Sequence, residues 1–228
     1  MTKDQFAKTL DMTLLKPEAD RDAIVRLCES AAALKPASVC IYPIWIRAAA
    51  RVLEGSGVPV CTVIGFPTGC SVRPVKAQEV KAAVLAGATE IDMVMNLGAA
   101  KSGDWGEVER ELKDLVDTAR VAGLEKGAAP IVTKVIIECC FLTDEEKARA
   151  AGIVRDVAAD FVKTSTGFGS GGATVEDVQL LRQTVGPDMG VKAAGGIRTI
   201  EQAMAMLSAG ATRLGTSNAE GMLQAFQG

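Results

Sequence analysis

The chain has 228 residues, of which 48% are hydrophobic, 23% charged and 4% aromatic. That suits one large domain or two small ones and excludes disorder and collagen-like order. Lysine and arginine number 25 against 28 aspartate and glutamate, a net charge of −3 with both signs interspersed, which leaves no basic stripe for nucleic acid. The start, MTKDQFAKTLD, carries charges where a secretory leader needs an apolar run, and no stretch approaches the roughly 18 apolar residues of a membrane span. A cytoplasmic protein with neither nucleic acid nor membrane as partner is expected.

Short, apolar, β-branched runs recur in chain order: LDMTLL near residue 12, ASVCIY near 40, VPVCTVIG near 62 and TEIDMVM near 92, then IVTKVIIE near 135, DFVKT near 162, GVKAA near 192 and TRLGT near 214. Amphipathic patterns lie between them. The clearest is Val108, Leu112, Leu115, Val116 and Ala119, whose spacing puts one apolar stripe on one helix face. Thr143 with Glu146, Thr174 with Asp177 and Thr199 with Gln202 read as capping boxes that open helices. Eight runs at about 29-residue spacing make eight βα units, and the length fits a barrel of about 200 to 250 residues. A single closed (β/α)8 barrel, one α/β domain over residues 1–228, is predicted; a doubly wound open sheet would leave the eighth unit unexplained.

Cys28, Cys40, Cys61, Cys70, Cys139 and Cys140 form no C-x-x-C pair, and most read as small core residues. Histidine is absent, which removes the commonest transition-metal ligand together with the commonest general base. No metal site is expected, and any catalysis must use other groups.

In such a barrel the chemistry sits at the carboxyl ends of the strands. Asp92, Lys163 and Lys192 each interrupt an apolar run there, where a solvated surface charge is out of place. Taken singly, each reads equally as an interior ion paired for structural reasons. Together they place ammonium near ammonium, and like charges about 6 Å apart at an effective dielectric near 20 repel by nearly 3 kcal/mol. That raises the neutral, nucleophilic fraction of a lysine roughly a hundredfold. A neutral lysine attacks aldehydes, and the protonated imine so formed accepts the electron pair of an adjacent carbon–carbon bond without metal or organic cofactor. Lys134 and Glu138, which also interrupt the fifth run, read as supporting interior ions.

Gly195 and Gly196 precede Arg198, and Gly215, Thr216 and Ser217 precede Asn218, each at a strand-to-helix turn. Backbone amides at such turns bind phosphate oxygens, and barrels build that site after strands seven and eight. Arg198 adds a bidentate donor. A glycine pair alone reads as no more than a tight turn. Gly167, Gly169 and Gly172 in TGFGSGG match the dinucleotide spacing G-x-G-x-x-G, but the next strand carries Lys192 where an acid should hold a ribose. They are read as a mobile or close-packed loop over the site.

KTSTGF, VKAAGGIR, EIDMVMN, KVIIE, CIYP and DMTLLKP together resemble the deoxyribose-phosphate aldolase family over almost the whole chain. The resemblance implies a class I aldolase on a (β/α)8 barrel that cleaves 2-deoxy-D-ribose 5-phosphate to acetaldehyde and D-glyceraldehyde 3-phosphate without a cofactor. It implies Lys163 as the imine-forming nucleophile, Asp92 as proton donor or acceptor through water, and Lys192 as the cation that tunes Lys163. It further implies that Asp11 and Thr13 shape the aldehyde and hydroxyl pocket with Thr166 nearby, that Gly195, Gly196, Gly215 and Ser217 hold the phosphate with Gly167 and Arg198 beside them, and that Cys40 lies at the rim within reach of an unsaturated iminium. A homodimer or larger homo-oligomer is also implied. Met12 stands where many relatives have histidine, and some relatives carry a tail ending in tyrosine where this sequence stops at Gly228 with Tyr42 its only tyrosine. A phosphosugar isomerase or a sugar-phosphate binding protein on the same barrel is the alternative, because a fold alone does not fix chemistry.

Overall fold

The computed structural model describes residues 1–127 and 130–226. Eight parallel strands close into a barrel in the order of the chain. They are β1 (Leu10–Leu14), β2 (Ser38–Ile41), β3 (Val60–Ile64), β4 (Glu90–Val94), β5 (Val132–Ile136), β6 (Phe161–Lys163), β7 (Gly190–Ala194) and β8 (Arg213–Thr216). Each of the eight apolar runs contains one of them. Helices α1 (Lys3–Ala7), α2 (Arg21–Leu34), α3 (Ile46–Val52), α4 (Arg73–Ala86) and α5 (Leu97–Lys101) are followed by α6 (Trp105–Lys126), α7 (Asp144–Asp156), α8 (Val175–Val185), α9 (Ile200–Ser208) and α10 (Ala219–Ala225). Among the described residues no helix is long and apolar enough to cross a membrane.

The strands are buried on both faces, as parallel strands beneath a helical shell must be. The outward-facing strand residues and the inner stripes of the helices make the main apolar core, including Val108, Leu112, Leu115, Val116 and Ala119 of α6. Thr143 with Glu146 and Thr199 with Gln202 form reciprocal capping boxes. At α8 Thr174 accepts from the amide of Asp177 without the return bond. The aspartate side chain is one methylene shorter than glutamate, and here it pairs instead with Lys147 at 2.7 Å. A further capping box, Thr2 with Gln5, opens α1, which the run pattern does not signal; its Phe6 is buried and stacks on Phe226 at 4.8 Å.

The register matters most for the site. Asp92 lies beside Val63 and Lys134, Lys163 beside Ile136 and Lys192, and Cys40 between Thr13 and Cys61. Alternation along β1 then sends Asp11 and Thr13 inward and Met12 outward, into the apolar core with Leu10 and Ile24.

Candidate active site

The barrel interior is charged. Asp92 is fully buried and both its oxygens are saturated. Oδ2 accepts from Lys163 Nζ and Lys192 Nζ, each at 2.6 Å, and Oδ1 accepts from Lys134 Nζ at 2.9 Å and the Cys61 thiol at 3.1 Å. Two ammonium groups on one oxygen lie within about 5 Å of each other, closer than the sequence argument assumed. Burial alone would raise the Asp92 carboxyl, but Lys134, Lys163 and Lys192 outweigh it and hold the group well below the ordinary range.

Beneath this layer lies a second. Asp11, also fully buried, sits 2.5 Å from Lys192 Nζ through Oδ2, and its Oδ1 accepts from Arg213 at 2.7 Å and Ser38 at 2.8 Å. Lys134 is held by Glu90 at 2.6 Å, and Arg213 reaches Glu90 at 3.2 Å. Burial opposes the charge on Lys192 and Lys134, yet the carboxylates around each push both above the ordinary lysine range. Lys192 therefore carries two carboxylate partners and a fixed charge. Lys163 has one, a single oxygen that it shares, and is the one of these lysines that reaches a cavity.

That cavity holds about 310 Å3 at the carboxyl ends of β1, β6, β7 and β8. Thr13, Lys163, Thr166, Gly167, Gly195, Gly196, Arg198, Gly215 and Ser217 line it, together with Lys16. Gly195 and Gly196 adopt φ of +89° and +82°, left-handed values that glycine alone takes without strain. Gly172 packs on this turn so closely that a Cβ there would stand 2.3 Å from the Gly195 carbonyl oxygen, and Ala173 N donates to that same oxygen at 3.0 Å. The glycine-rich loop is thus close-packed against the phosphate-type turn.

Three placements differ from expectation. Asp11 does not line the cavity: it lies one layer below, under Lys192, because its inward side chain leaves the strand before the mouth. Cys40, 1% exposed, is not at the rim but packs beneath it with Leu15, Cys61 and Val63, as the core reading of the cysteines has it. Glu138 is not in the fifth strand, which ends at Ile136. It takes φ +53° and turns its carboxylate to Thr166, accepting from the backbone N at 3.0 Å and from Oγ1, which fixes the loop after Lys163. The question of the tail falls on Gly228, outside the described residues.

Donor atoms of Cys40, Cys61 and Asp92 lie within 4.8 Å of one another. The set does not suit a cation, since three ammonium groups already crowd the carboxylate. Sequence reasoning missed Lys16, Cys61, Glu90 and Arg213. Glu90 stands two residues before Asp92, and that period of two is the available signal for a shared interior face; Lys16 sits in a loop, and its only signal is its place in DMTLLKP.

Residues 4–224 match the model of the DeoC/LacD family aldolases. The chain belongs to this family. It is 54% identical over 217 residues to a deoxyribose-phosphate aldolase of Clostridium perfringens (strain SM101 / Type A), covering 95% of this chain and 93% of the relative. With one from Geobacillus sp. (strain WCH70) it shares 52% over 216 residues, again 95% and 93% of the two chains. Among solved structures, a deoxyribose phosphate aldolase from Aeropyrum pernix, described as a unique tetramer, superposes with a TM-score of 0.88 at 33% identity over 99% of this chain and 92% of the other. The family description and these relatives fit a lysine-based aldolase site better than the isomerase or binding alternatives.

Proposed function

We propose that this enzyme is a class I aldolase that reversibly cleaves 2-deoxy-D-ribose 5-phosphate to acetaldehyde and D-glyceraldehyde 3-phosphate, with Lys163 as the nucleophile. The observation that carries the reading is the inequality among the buried lysines: Lys134 and Lys192 are each held by two close carboxylates, whereas Lys163 shares one oxygen and opens to the cavity.

The neutral Lys163 amine bonds to C1 of the open-chain aldehyde, and the carbonyl oxygen leaves as water, carrying one proton from the amine and one from solution. In the protonated imine the pair from the C2–C3 bond flows toward nitrogen as the C3 hydroxyl gives up its proton, releasing glyceraldehyde 3-phosphate and leaving an enamine. Protonation at C2 and hydrolysis then release acetaldehyde. Asp92, on the nitrogen at 2.6 Å, orients Lys163 and moves protons through water in the cavity. Lys192 keeps a positive charge beside the nascent imine, held there by Asp11 and Asp92.

The phosphate docks among the turns after β7 and β8, where Gly195, Gly196, Gly215 and Ser217 present backbone amides and Arg198 and Lys16 supply charge. Thr13 and Thr166 wall the cavity where the sugar lies, their hydroxyls donating to the Asp11 carbonyl and to Glu138. The tetramer named for the Aeropyrum neighbour supports a homo-oligomer here too, and the absence of a membrane-length helix among the described residues is compatible with the cytoplasm.

A coupled assay of acetaldehyde release from deoxyribose 5-phosphate tests the reading. The wild-type protein turns over, and Lys163→Arg abolishes turnover while keeping the charge, since guanidinium does not deprotonate at working pH. Aldose–ketose isomerisation of a phosphosugar that carries a 2-hydroxyl, with no acetaldehyde released from deoxyribose 5-phosphate, would instead establish the isomerase.

A further inference from the structure

The buried interior has an unequal charge count. Four cations, Lys134, Lys163, Lys192 and Arg213, face three carboxylates, Asp11, Glu90 and Asp92, all within one linked set of contacts. The two lysines and the arginine other than Lys163 balance the three acids one for one. A fourth positive charge in a space this poor in water is unmatched, and an unmatched buried charge is costly.

We propose that Glu90, Lys134 and Arg213, on the floor of the barrel and out of reach of substrate, are positioning residues that set the protonation of Lys163 through this count. The inference rests on Lys163 as the imine-forming residue. Arg213 is the more exposed but does not deprotonate, so the unmatched proton leaves from the lysine with the fewest carboxylate partners and an opening to the cavity, which is Lys163. The count also acts on the intermediate: imine formation returns the interior to one excess positive charge, and collapse to the enamine neutralises it again, so the same imbalance pulls electrons out of the C2–C3 bond.

Every strand facing Lys163 enters this account. β1 brings Asp11, β4 Glu90 and Asp92, β5 Lys134, β7 Lys192 and β8 Arg213, while β2 and β3 bring the thiols of Cys40 and Cys61. The Cys61 thiol donates to Asp92 and is held protonated, first by burial. Cys40 packs beside Cys61 in the same buried cluster and is the other thiol from which a fourth anion could come, so the test includes it. Glu138 spends its carboxylate on Thr166 outside the set. Lys16 and Arg198 stand at the open mouth, where solvent screens them.

The test is the ascending limb of log kcat/KM against pH, measured with unphosphorylated deoxyribose so that phosphate ionisation does not intrude. Removing a floor cation by Lys134→Met leaves the acids in need of Lys163 as a cation, and the limb moves up by about one to two pH units. Removing an acid by Glu90→Gln moves it down by a similar amount. The double variant restores the count, and its limb returns to the wild-type position. Arg213→Met moves the limb up, Arg213→Lys leaves it in place, and these two with Glu90→Gln carry the test if Lys134→Met does not fold. Shifts of the same sign in the cation and acid variants, or a double variant that stays displaced, overturn the proposal. So does a downward shift in Cys40→Ala, which would make Cys40 the fourth anion. Borohydride trapping of acetaldehyde on the wild-type protein separates the two failures. A Lys163 adduct with immobile limbs removes this proposal alone, and no Lys163 adduct removes the reading beneath it.

Discussion

Replacing Gly172 by alanine tests the close packing of the glycine-rich loop on the phosphate turn. The new Cβ would meet Gly195 O at 2.3 Å and Gly195 C at 2.6 Å, both backbone atoms that no rotamer change can move. Restoring ordinary contact requires the two segments to part by about 1 Å, and the Ala173 N to Gly195 O bond of 3.0 Å stretches with them. Overpacking of this kind costs about 1 to 3 kcal/mol, which for a chain of this size lowers Tm by roughly 2 to 12 °C. The displaced atoms belong to the turn assigned to phosphate, and a misplacement of about 1 Å can cost as much as a hundredfold. KM for deoxyribose 5-phosphate should therefore rise about 10- to 100-fold, while unphosphorylated deoxyribose suffers much less. Steady-state kinetics on the two substrates, with a thermal melt, reads both effects. An unchanged Tm would refute the packing argument, and equal losses on both substrates would refute the phosphate assignment.

Ser217→Asp places an anion where the substrate dianion docks, so KM rises for the phosphorylated sugar and little for the free one; the ratio of the two kcat/KM values checks it. Lys192→Met removes a charged neighbour of Lys163, and activity lost near neutrality should recover partly in alkali; an ascending limb at its original pH would leave Lys192 a structural role. Asp11 and Asp92 are held below the ordinary aspartate value, so the unfolded chain takes up protons near pH 4 that the folded protein still refuses. Stability is thus full above that pH and falls as pH drops toward the lower folded values, and Tm measured from pH 5 to pH 2 should decline less steeply in Asp92→Asn.

The repeat of apolar runs exposed the barrel, because parallel strands buried on both faces are continuous in hydrophobicity and stand apart from amphipathic helices. Asp92, Lys163 and Lys192 were legible for the same reason: a charge inside such a run has no solvent to face. Glu90 and Arg213 open their strands, where a charge looks like an ordinary exposed end, and only closure of the barrel turns them onto Asp11 and Lys134. Asp11 was visible as a residue but not as a layer, since height along the barrel axis depends on the stagger between β1 and its neighbours. Glu138 reads as part of the fifth strand because Ile136 and Ile137 before it continue the apolar run, and only the backbone shows that the strand ends at Ile136. The partnership of Gly172 with Gly195 joins two loops far apart in sequence and follows from no local spacing.

The central claim is that Lys163 forms the covalent intermediate, and peptide mapping by mass after borohydride reduction in the presence of acetaldehyde addresses it most directly. The account predicts one added ethyl group, on the peptide carrying Lys163, and none in Lys163→Arg. A label on Lys192 or Lys134, or no label on a protein that still cleaves deoxyribose 5-phosphate, would contradict it.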